Sequence, residues 1–479
     1  MRSSPMRSTP ICATITAVKA PLSSERSSPR RPCWMRSSGS TRARPRETRL
    51  RRCRIGTGHG TGHSRAASVK VFHINDKFEV VGGVEVYIRD VLPELRARGI
   101  EAHWIALRRQ GVEVEMRSED AAWNWRGAMA EISRSPLAAG VDGETLLHVH
   151  SLSEPAILNR LFPLAPVVRH MHEPRLFCPG QGKFWAKSET ICDRPFGLHC
   201  FVHAYTQRCC NRHPKRLWHQ YSNTRHEVQT ASARYAKMIA NSNYTKDEAV
   251  RAGIPENRIV VRNNFTYVTP EPDWNAPQPP VIAFAGRLSR TKGVHILLNA
   301  FAQVLRKVPE ARLEILGSGH DEQVFFRQAD ALSLGEAVQF HGWGDKGAVD
   351  ALLSRAAVVA FPSIYPEAFG ITGIEAMMRG KPVVAFDVGG VSDWLRHGET
   401  GFSLRAGDTT GFAEAMLRLL SDAPLQQRMG RSAREKALAE FSAEVHMTAI
   451  MDLFAKVLDA QTAVPSNDRS GHREAGRPS

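Results

Sequence analysis

Short apolar runs of about five residues recur along this chain, and segments with apolar residues at helical spacing lie between them. No other feature restricts the fold as much. Val69-Lys70-Val71-Phe72-His73-Ile74, Leu146-Leu147-His148-Val149-His150, Val167-Val168-Arg169-His170-Met171 and Met238-Ile239-Ala240-Asn241 read as strands. After the first of them Val84, Tyr87, Ile88, Val91, Leu92 and Leu95 share one helical face, which Gly99 closes. A second series has strands at 281–285, 312–316, 357–361 and 382–386, and its first helix turns Val294, Leu297, Leu298, Phe301 and Leu305 to one side. Strands alternating with helices build βαβ units, so the expected class is α/β, with two Rossmann-like domains and mostly parallel sheets.

The proline-rich stretch at 271–280 suits neither a helix nor a central strand and reads as a linker. It divides a first domain at 67–270 from a second at 281–430. Residues 431–460 are expected to be helices that pack back toward the first domain, and 461–479 a polar disordered tail. Residues 1–66 differ in kind. They hold fifteen Lys and Arg against two Glu, a charge of +13 out of the chain's +16, which leaves +3 for the rest. Rich in Arg, Ser and Pro and without apolar periodicity, this extension is expected to be disordered. It reads as a targeting or polyanion-binding arm or, preferably, as an upstream extension from a misassigned start. With so little net charge on the remainder, a nucleic-acid-binding protein working through the basic arm ranks last, and no nucleic-acid partner is expected. No apolar run is long enough to span a membrane.

Ligands of open parallel sheets sit at the carboxyl ends of the strands, and the conspicuous residues gather there. Gly82-Gly83 follows the first strand. Gly286-Arg287-Leu288 with Lys292-Gly293 follows the first strand of the second domain, and Gly317-Ser318-Gly319 the next. Arg287 and Lys292, flanked by glycines ahead of a helix, have the chemistry to hold a diphosphate. After the strand at 357–361, Glu367 and Glu375 stand eight positions apart around Phe369-Gly370-Ile371, where a loop becomes a helix. The helix start suits an anion and the two carboxylates suit sugar hydroxyls.

These motifs, with Gly380-Lys381-Pro382-Val383-Val384-Ala385 and Val388-Gly389-Gly390, resemble the retaining glycosyltransferases of family 4, which have the GT-B fold. The resemblance covers roughly residues 69–460 and is strongest in the second domain; in the first it rests mainly on Gly82-Gly83-Val84-Glu85 and Asn241-Ser242-Asn243-Tyr244-Thr245-Lys246. It implies transfer of a sugar from a UDP-, GDP- or ADP-linked donor to a hydroxyl of a sugar or lipid-linked acceptor, with retention, in polysaccharide or glycoconjugate synthesis. The implied donor site is Arg287 and Lys292 on the diphosphate, Glu375 on the ribose, Glu367 by the sugar, and Gly317 and the N–H groups of Phe369, Gly370 and Ile371 nearby. Gly82 and Gly83 would let the first domain close on donor and acceptor. His172, which precedes Glu173, matches the family's His-acid pair and would polarise an acceptor hydroxyl or bind the sugar. Together with Glu367, Arg287 and Lys292 it completes the expected catalytic set. A GT-B-like epimerase or phosphorylase is the alternative reading.

The resemblance implies no catalytic metal, and no Asp-x-Asp occurs in the chain. Five of the eight cysteines, Cys178, Cys192, Cys200, Cys209 and Cys210, follow the His-Glu pair at spacings unlike a C-x-x-C zinc ribbon. They read as an acceptor-side insertion, either reduced or binding a structural zinc. The expected location is cytoplasmic, with peripheral attachment at the inner membrane face as an extension of that reading.

Overall fold

The computed structural model describes residues 69–77, 82–120 and 122–462. The basic extension at 1–66 and the tail beyond 462 lie outside the described residues.

The first sheet has eight strands: β1 (Lys70–Asn75), β2 (Glu101–Gln110), β3 (Glu113–Ser118), β4 (Trp125–Ala128), β5 (Thr145–Val149), β6 (Val167–Met171), β9 (Lys237–Ala240) and β10 (Ile259–Val261), with a small separate hairpin, β7 (Phe184–Trp185) and β8 (Thr190–Ile191), inserted between β6 and β9. Its order is β10-β9-β6-β5-β1-β2-β3-β4, parallel throughout except for the β2-β3-β4 end, which turns antiparallel. The second sheet contains β11 (Val281–Ala285), β12 (Arg312–Leu316), β13 (Val338–Phe340), β14 (Val358–Phe361), β15 (Val383–Phe386) and β16 (Gly401–Leu404). It runs β13-β12-β11-β14-β15-β16, all parallel. This is the doubly wound order, whose ligand crevice opens where the strand order reverses, between β11 and β14.

Alternation along the strands of the first sheet feeds two cores. Phe72, Leu147, Val149 and Met171 face one, and Val71, Leu146 and Val168 face the other together with helix α1 (Gly83–Ala97). The second sheet carries a separate core built with helices α2 (Val294–Leu305) and α3 (Ile371–Met378). Helix α4 (Ala423–Glu440) stays with that core through Ala433 and Ala437. The chain crosses back only at Phe441-Ser442, after which α5 (Ala443–Thr462) lays Met447, Ile450, Phe454 and Val457 on the first sheet. The return to the first lobe therefore starts later than 431. Among the described residues no helix is long and apolar enough to cross a membrane.

Both helices that border the crevice start from a left-handed glycine: Gly293 precedes α2 with φ 72°, and Gly370 precedes α3 with φ 97°. At Gly293 a Cβ would stand 1.8 Å from the Pro362 carbonyl oxygen, so the loops after β11 and β14 are pressed together there. Gly293→Ala is expected to destabilise the protein by about 3 kcal/mol or more, from strain and clash combined. An unchanged denaturant midpoint would contradict this contact.

Candidate active site

The loops after β11 and β14 are tied by backbone hydrogen bonds, with Ile364 N–H and Tyr365 N–H both donating to the Thr291 carbonyl at 3.0 and 3.2 Å. This fixes Lys292 opposite Glu367: Lys292 Nζ lies 2.6 Å from Glu367 Oε1, which also accepts from Ser363 Oγ at 2.5 Å. Glu367 is only 8% exposed. An anion that is this buried needs such partners. Across from them a cleft of about 390 Å³ is lined by Gly83, His172 and Glu173 from the first lobe and by Arg287, Lys292, Glu367, Phe369, Gly370 and Ile371 from the second. The amide end of α3 opens into it, a favourable place for phosphate oxygens.

Three residues named from the sequence sit outside this cleft. Glu375, one turn into α3, pairs with Lys346 at 2.6 Å in a narrow adjoining crevice that also touches Tyr87 and Ile371. Burial works against the Lys346 charge, yet the Glu375 and Asp350 carboxylates outweigh it and its pKa rises. Gly317 follows β12 and has a packing role: a Cβ there would lie 1.9 Å from the Gly286 carbonyl oxygen. Gly82 caps α1 beside Glu85. The segment at 241–246 closes the opposite side of the cleft. Ser242 caps the helix Asn243–Arg251, and Asn243 N–H donates to Asp393 Oδ2 of the second lobe at 2.9 Å.

Two family models match successive stretches of the chain: "Glycosyltransferase Family 4" over residues 81–269 and "Glycosyl transferases group 1" over 271–436. The chain belongs to the family 4 glycosyltransferases. A glycogen synthase of Mycobacterium tuberculosis is 32% identical over 176 residues, which is 37% of this chain and 42% of that protein. The alpha-D-kanosaminyltransferase of Streptomyces kanamyceticus is 26% identical over 55% of this chain and 72% of its own length. The chain thus spans about two fifths of the length of the first curated relatives it matches. Among solved structures, Anabaena HepE in complex with UDP and glucose aligns with TM-score 0.57 at 19% identity, over 81% of this chain and 100% of that one. Sucrose-phosphate synthase of Thermosynechococcus elongatus aligns with TM-score 0.60 at 20% identity, over 82% and 99%. These likenesses establish the GT-B fold of the chain.

Beneath His172 lies a feature that single-residue reading missed. His73, His148 and His170 share one face of the first sheet, and His150 and His172 stand just above them; the four other than His172 are 0–1% exposed. His73 Nδ1 is 3.1 Å from His150 Nε2, and His150 Nδ1 is 2.8 Å from His172 Nε2. The nearest ring nitrogens of His73, His148 and His150, and of His150, His170 and His172, are close enough to hold a metal ion, but three neutral imidazoles in an apolar layer offer no counter-charge to one. The signal was present in the sequence as His148-x-His150 and His170-x-His172, since residues two apart in a strand face the same way.

Burial, reinforced by Arg169 and the other rings, lowers the pKa of His172 to about 3, and burial lowers that of His73 to about 3 as well. All three rings of the chain are therefore neutral, each with one N–H, and their hydrogen bonds run in one direction. His73 Nε2 has no partner. A buried bare acceptor is tolerated better than a buried bare donor, so His73 and His150 donate outward. His172 is left with its N–H on Nδ1, the nitrogen not engaged by His150.

Proposed function

We propose that this glycosyltransferase moves a sugar from a nucleoside-diphosphate donor bound in the cleft to an acceptor hydroxyl, with retention of configuration. The observation that carries the proposal is the meeting of Arg287, Lys292 and the amide end of α3 on one wall, opposite Gly83 and His172 on the other. As the bond from the anomeric carbon to the diphosphate breaks, negative charge grows on the departing oxygen, and fixed cations and amide dipoles stabilise it without having to reorganise. Binding of UDP and glucose by HepE supports a nucleotide donor of this type; UDP, GDP and ADP sugars are the candidates here.

His172 serves as a neutral hydrogen-bond donor to the sugar, since a ring whose pKa is about 3 takes up a proton poorly at neutral pH. The acceptor proton is then left to the departing phosphate in a front-face attack. Glu367, held by Lys292 and Ser363, is read as orienting the lysine and the sugar in preference to acting as a nucleophile. Glu375 is read as the ribose contact at the crevice beside the cleft. Burial raises the Glu173 pKa, Arg175 opposes that, and the pair forms the partition to a second cavity.

That cavity, about 940 Å³, lies wholly in the first lobe and is lined by Arg108, Lys215 and Arg216 among others, while Arg109 and Arg175 on its wall pair with Glu154 and with Glu173 and Asp76. It is read as the acceptor chamber, and its basic lining favours an acceptor that carries phosphate or carboxylate, on a glycan or a lipid. Arg216→Glu is expected to raise the acceptor KM about tenfold with donor affinity unchanged. Equal loss of donor binding would count against a separate acceptor site. The activity itself is tested by incubating the protein with nucleotide sugars and glycan or lipid-phosphate acceptors, then assigning the anomer of the product by NMR. Turnover of the donor with no acceptor present would favour the epimerase reading instead.

A further inference from the structure

Eleven large apolar side chains are exposed among the described residues, and four of them, Leu198, Val202, Tyr205 and Trp218, come from one short stretch of the first lobe. Each of the four is more than half exposed, while the other seven are spread from Val112 to Val445. Single exposed apolar residues are ordinary, whereas a cluster marks a surface that something covers. Leu198, Val202 and Tyr205 are four and three positions apart, so they share one face of the helix His199–Thr206 and its cap. Trp218 joins them from the helix Pro214–His226: its ring lies 6.1 Å from that of Phe201, which is 4.4 Å from the ring of Tyr221. The Tyr205 hydroxyl donates to the Arg212 carbonyl at 3.0 Å and ties the two helices together. Beside the patch a groove of about 560 Å³ runs between Phe196, Leu198, Tyr221 and Val228.

The same stretch is strongly and exclusively basic. Residues 194–226 hold six Lys and Arg and no Asp or Glu. That is twice the net +3 of the whole chain beyond residue 66, so the rest of that part is net acidic. All six cations are exposed, and only Arg194 has an ion-pair partner among the described residues, Asp193 at 3.6 Å. Like charges gathered on one small surface favour an anionic partner. A second copy of this chain does not fit, since a two-fold pairing through this face would set six cations against six. An anionic surface that also takes up Trp, Tyr and aliphatic side chains is the headgroup boundary of a phospholipid bilayer.

We propose that this face docks the protein on an anionic bilayer, with Leu198, Val202, Tyr205 and Trp218 entering the headgroup boundary and Arg208, Arg212 and Arg225 meeting lipid phosphates. The helix Pro214–His226 links the docking face to the chemistry. Lys215, Arg216, His219 and Asn223 line the cavity of about 940 Å³, whereas Trp218, Tyr221 and Arg225 lie on the opposite side of the helix. A bilayer seated on that outer side is one helix diameter, about 10 Å, from the chamber. The inference rests on the acceptor reading of the cavity only for its purpose, which is to bring a lipid-linked phosphate or carboxylate to the chamber from the membrane surface.

The test is flotation of the full chain with vesicles of phosphatidylcholine alone and of equal parts phosphatidylcholine and phosphatidylglycerol, at physiological ionic strength. Residues 1–66 carry +13 and are present in every variant, so binding through them alone would be equal in all. The parent is expected to float with the mixed vesicles. Leu198→Ser with Trp218→Ser, which leaves the net charge unchanged, should lower the partition coefficient about tenfold or more, and Arg212→Glu with Arg225→Glu should do the same. Two independent pairs keep the test open if one pair fails to fold. Equal flotation of the parent and both variants would overturn the proposal. So would a charge-reversed variant that loses vesicles and a single-stranded RNA alike while the apolar pair changes neither, since the face would then be a general polyanion site. A parent dimer that Trp218→Ser dissociates, with no vesicle binding by either form, would also overturn it. Flotation is read without nucleotide or turnover: failure here with nucleotide binding intact leaves the donor site standing, and failure of nucleotide binding leaves the docking face standing.

Discussion

Lys292→Ala is expected to lower the rate of sugar transfer about 100- to 1,000-fold while the protein stays folded. The lysine sits where two needs meet. Its ammonium holds Glu367 in place, and the same group lies beside the amide end of α3, where leaving-group charge would collect. Its removal therefore deprives the transition state of a fixed cation and leaves a nearly buried carboxylate with Ser363 as its remaining partner. Arg287→Ala should cause a loss of similar size, and the double variant little more than the worse single one if both act on one diphosphate. Lys292→Arg separates charge from shape: partial recovery is expected, since the charge returns with a different geometry. Steady-state kinetics with the donor held saturating distinguish a fall in kcat from one in KM. A loss confined to KM would mean that Lys292 contributes to ground-state binding alone.

The second large effect concerns pH. Burial is the leading cause of the low pKa of His73 and His172, both about 3, of His446, about 4, and of His148, His150 and His170, which lie well below the usual value. In the unfolded chain these rings titrate near 6.5. Between those limits the unfolded state binds more protons than the folded one, so stability is intact at neutral pH and falls as the pH drops below about 6.5. Each ring that stays neutral in the fold contributes a slope of about 1.4 kcal/mol per pH unit. Five or six acting together are enough to exhaust an ordinary folding free energy near pH 5. The groups facing this layer include Tyr87, Phe265 and Phe454, and the Arg169, Arg96 and Arg262 charges act on it with the same sign, against the imidazolium forms. Urea midpoints measured from pH 8 to pH 5 should decline steadily. His148 and His170 each have both ring nitrogens without partners, so His148→Leu with His170→Leu should flatten that decline and leave stability at pH 8 equal or higher. A pH-independent midpoint in the parent protein would show that the histidine layer is hydrated or open.

The two outcomes rest on unequal parts of the sequence. The parallel sheets were legible because their strands are buried on both faces and so read as continuous apolar runs, Val358-Val359-Ala360 and Val383-Val384-Ala385 being the plainest. The antiparallel end of the first sheet was not, because β3 alternates buried with more exposed residues, β4 buries none of its residues fully, and the two carry charge at Glu113, Glu115 and Arg126. Glycine spacing pointed to the two loops at the switch between β11 and β14, since positive φ and close packing at Gly293 and Gly370 leave a residue-type signature. The ion pair of Lys292 with Glu367 left none: it joins residues 75 positions apart that the sequence assigned to different parts of the donor. Glu375 shows the opposite limit. Its place on α3 was readable, but its partner Lys346 comes from another helix and holds it in a neighbouring crevice. The turn of the chain at Phe441-Ser442 was hidden inside one long helical pattern, and only packing reveals that α4 and α5 serve different cores.

The cleft between Lys292 and His172 is expected to bind a nucleoside diphosphate. Calorimetric titration of the full chain with UDP, GDP and ADP measures this most directly, with Lys292→Ala and Arg216→Glu run in parallel. One of the three should bind with a single site per chain, at least tenfold more weakly in Lys292→Ala and unchanged in Arg216→Glu. If none of the three binds, or if Lys292→Ala binds as well as the parent, the cleft is not the donor site.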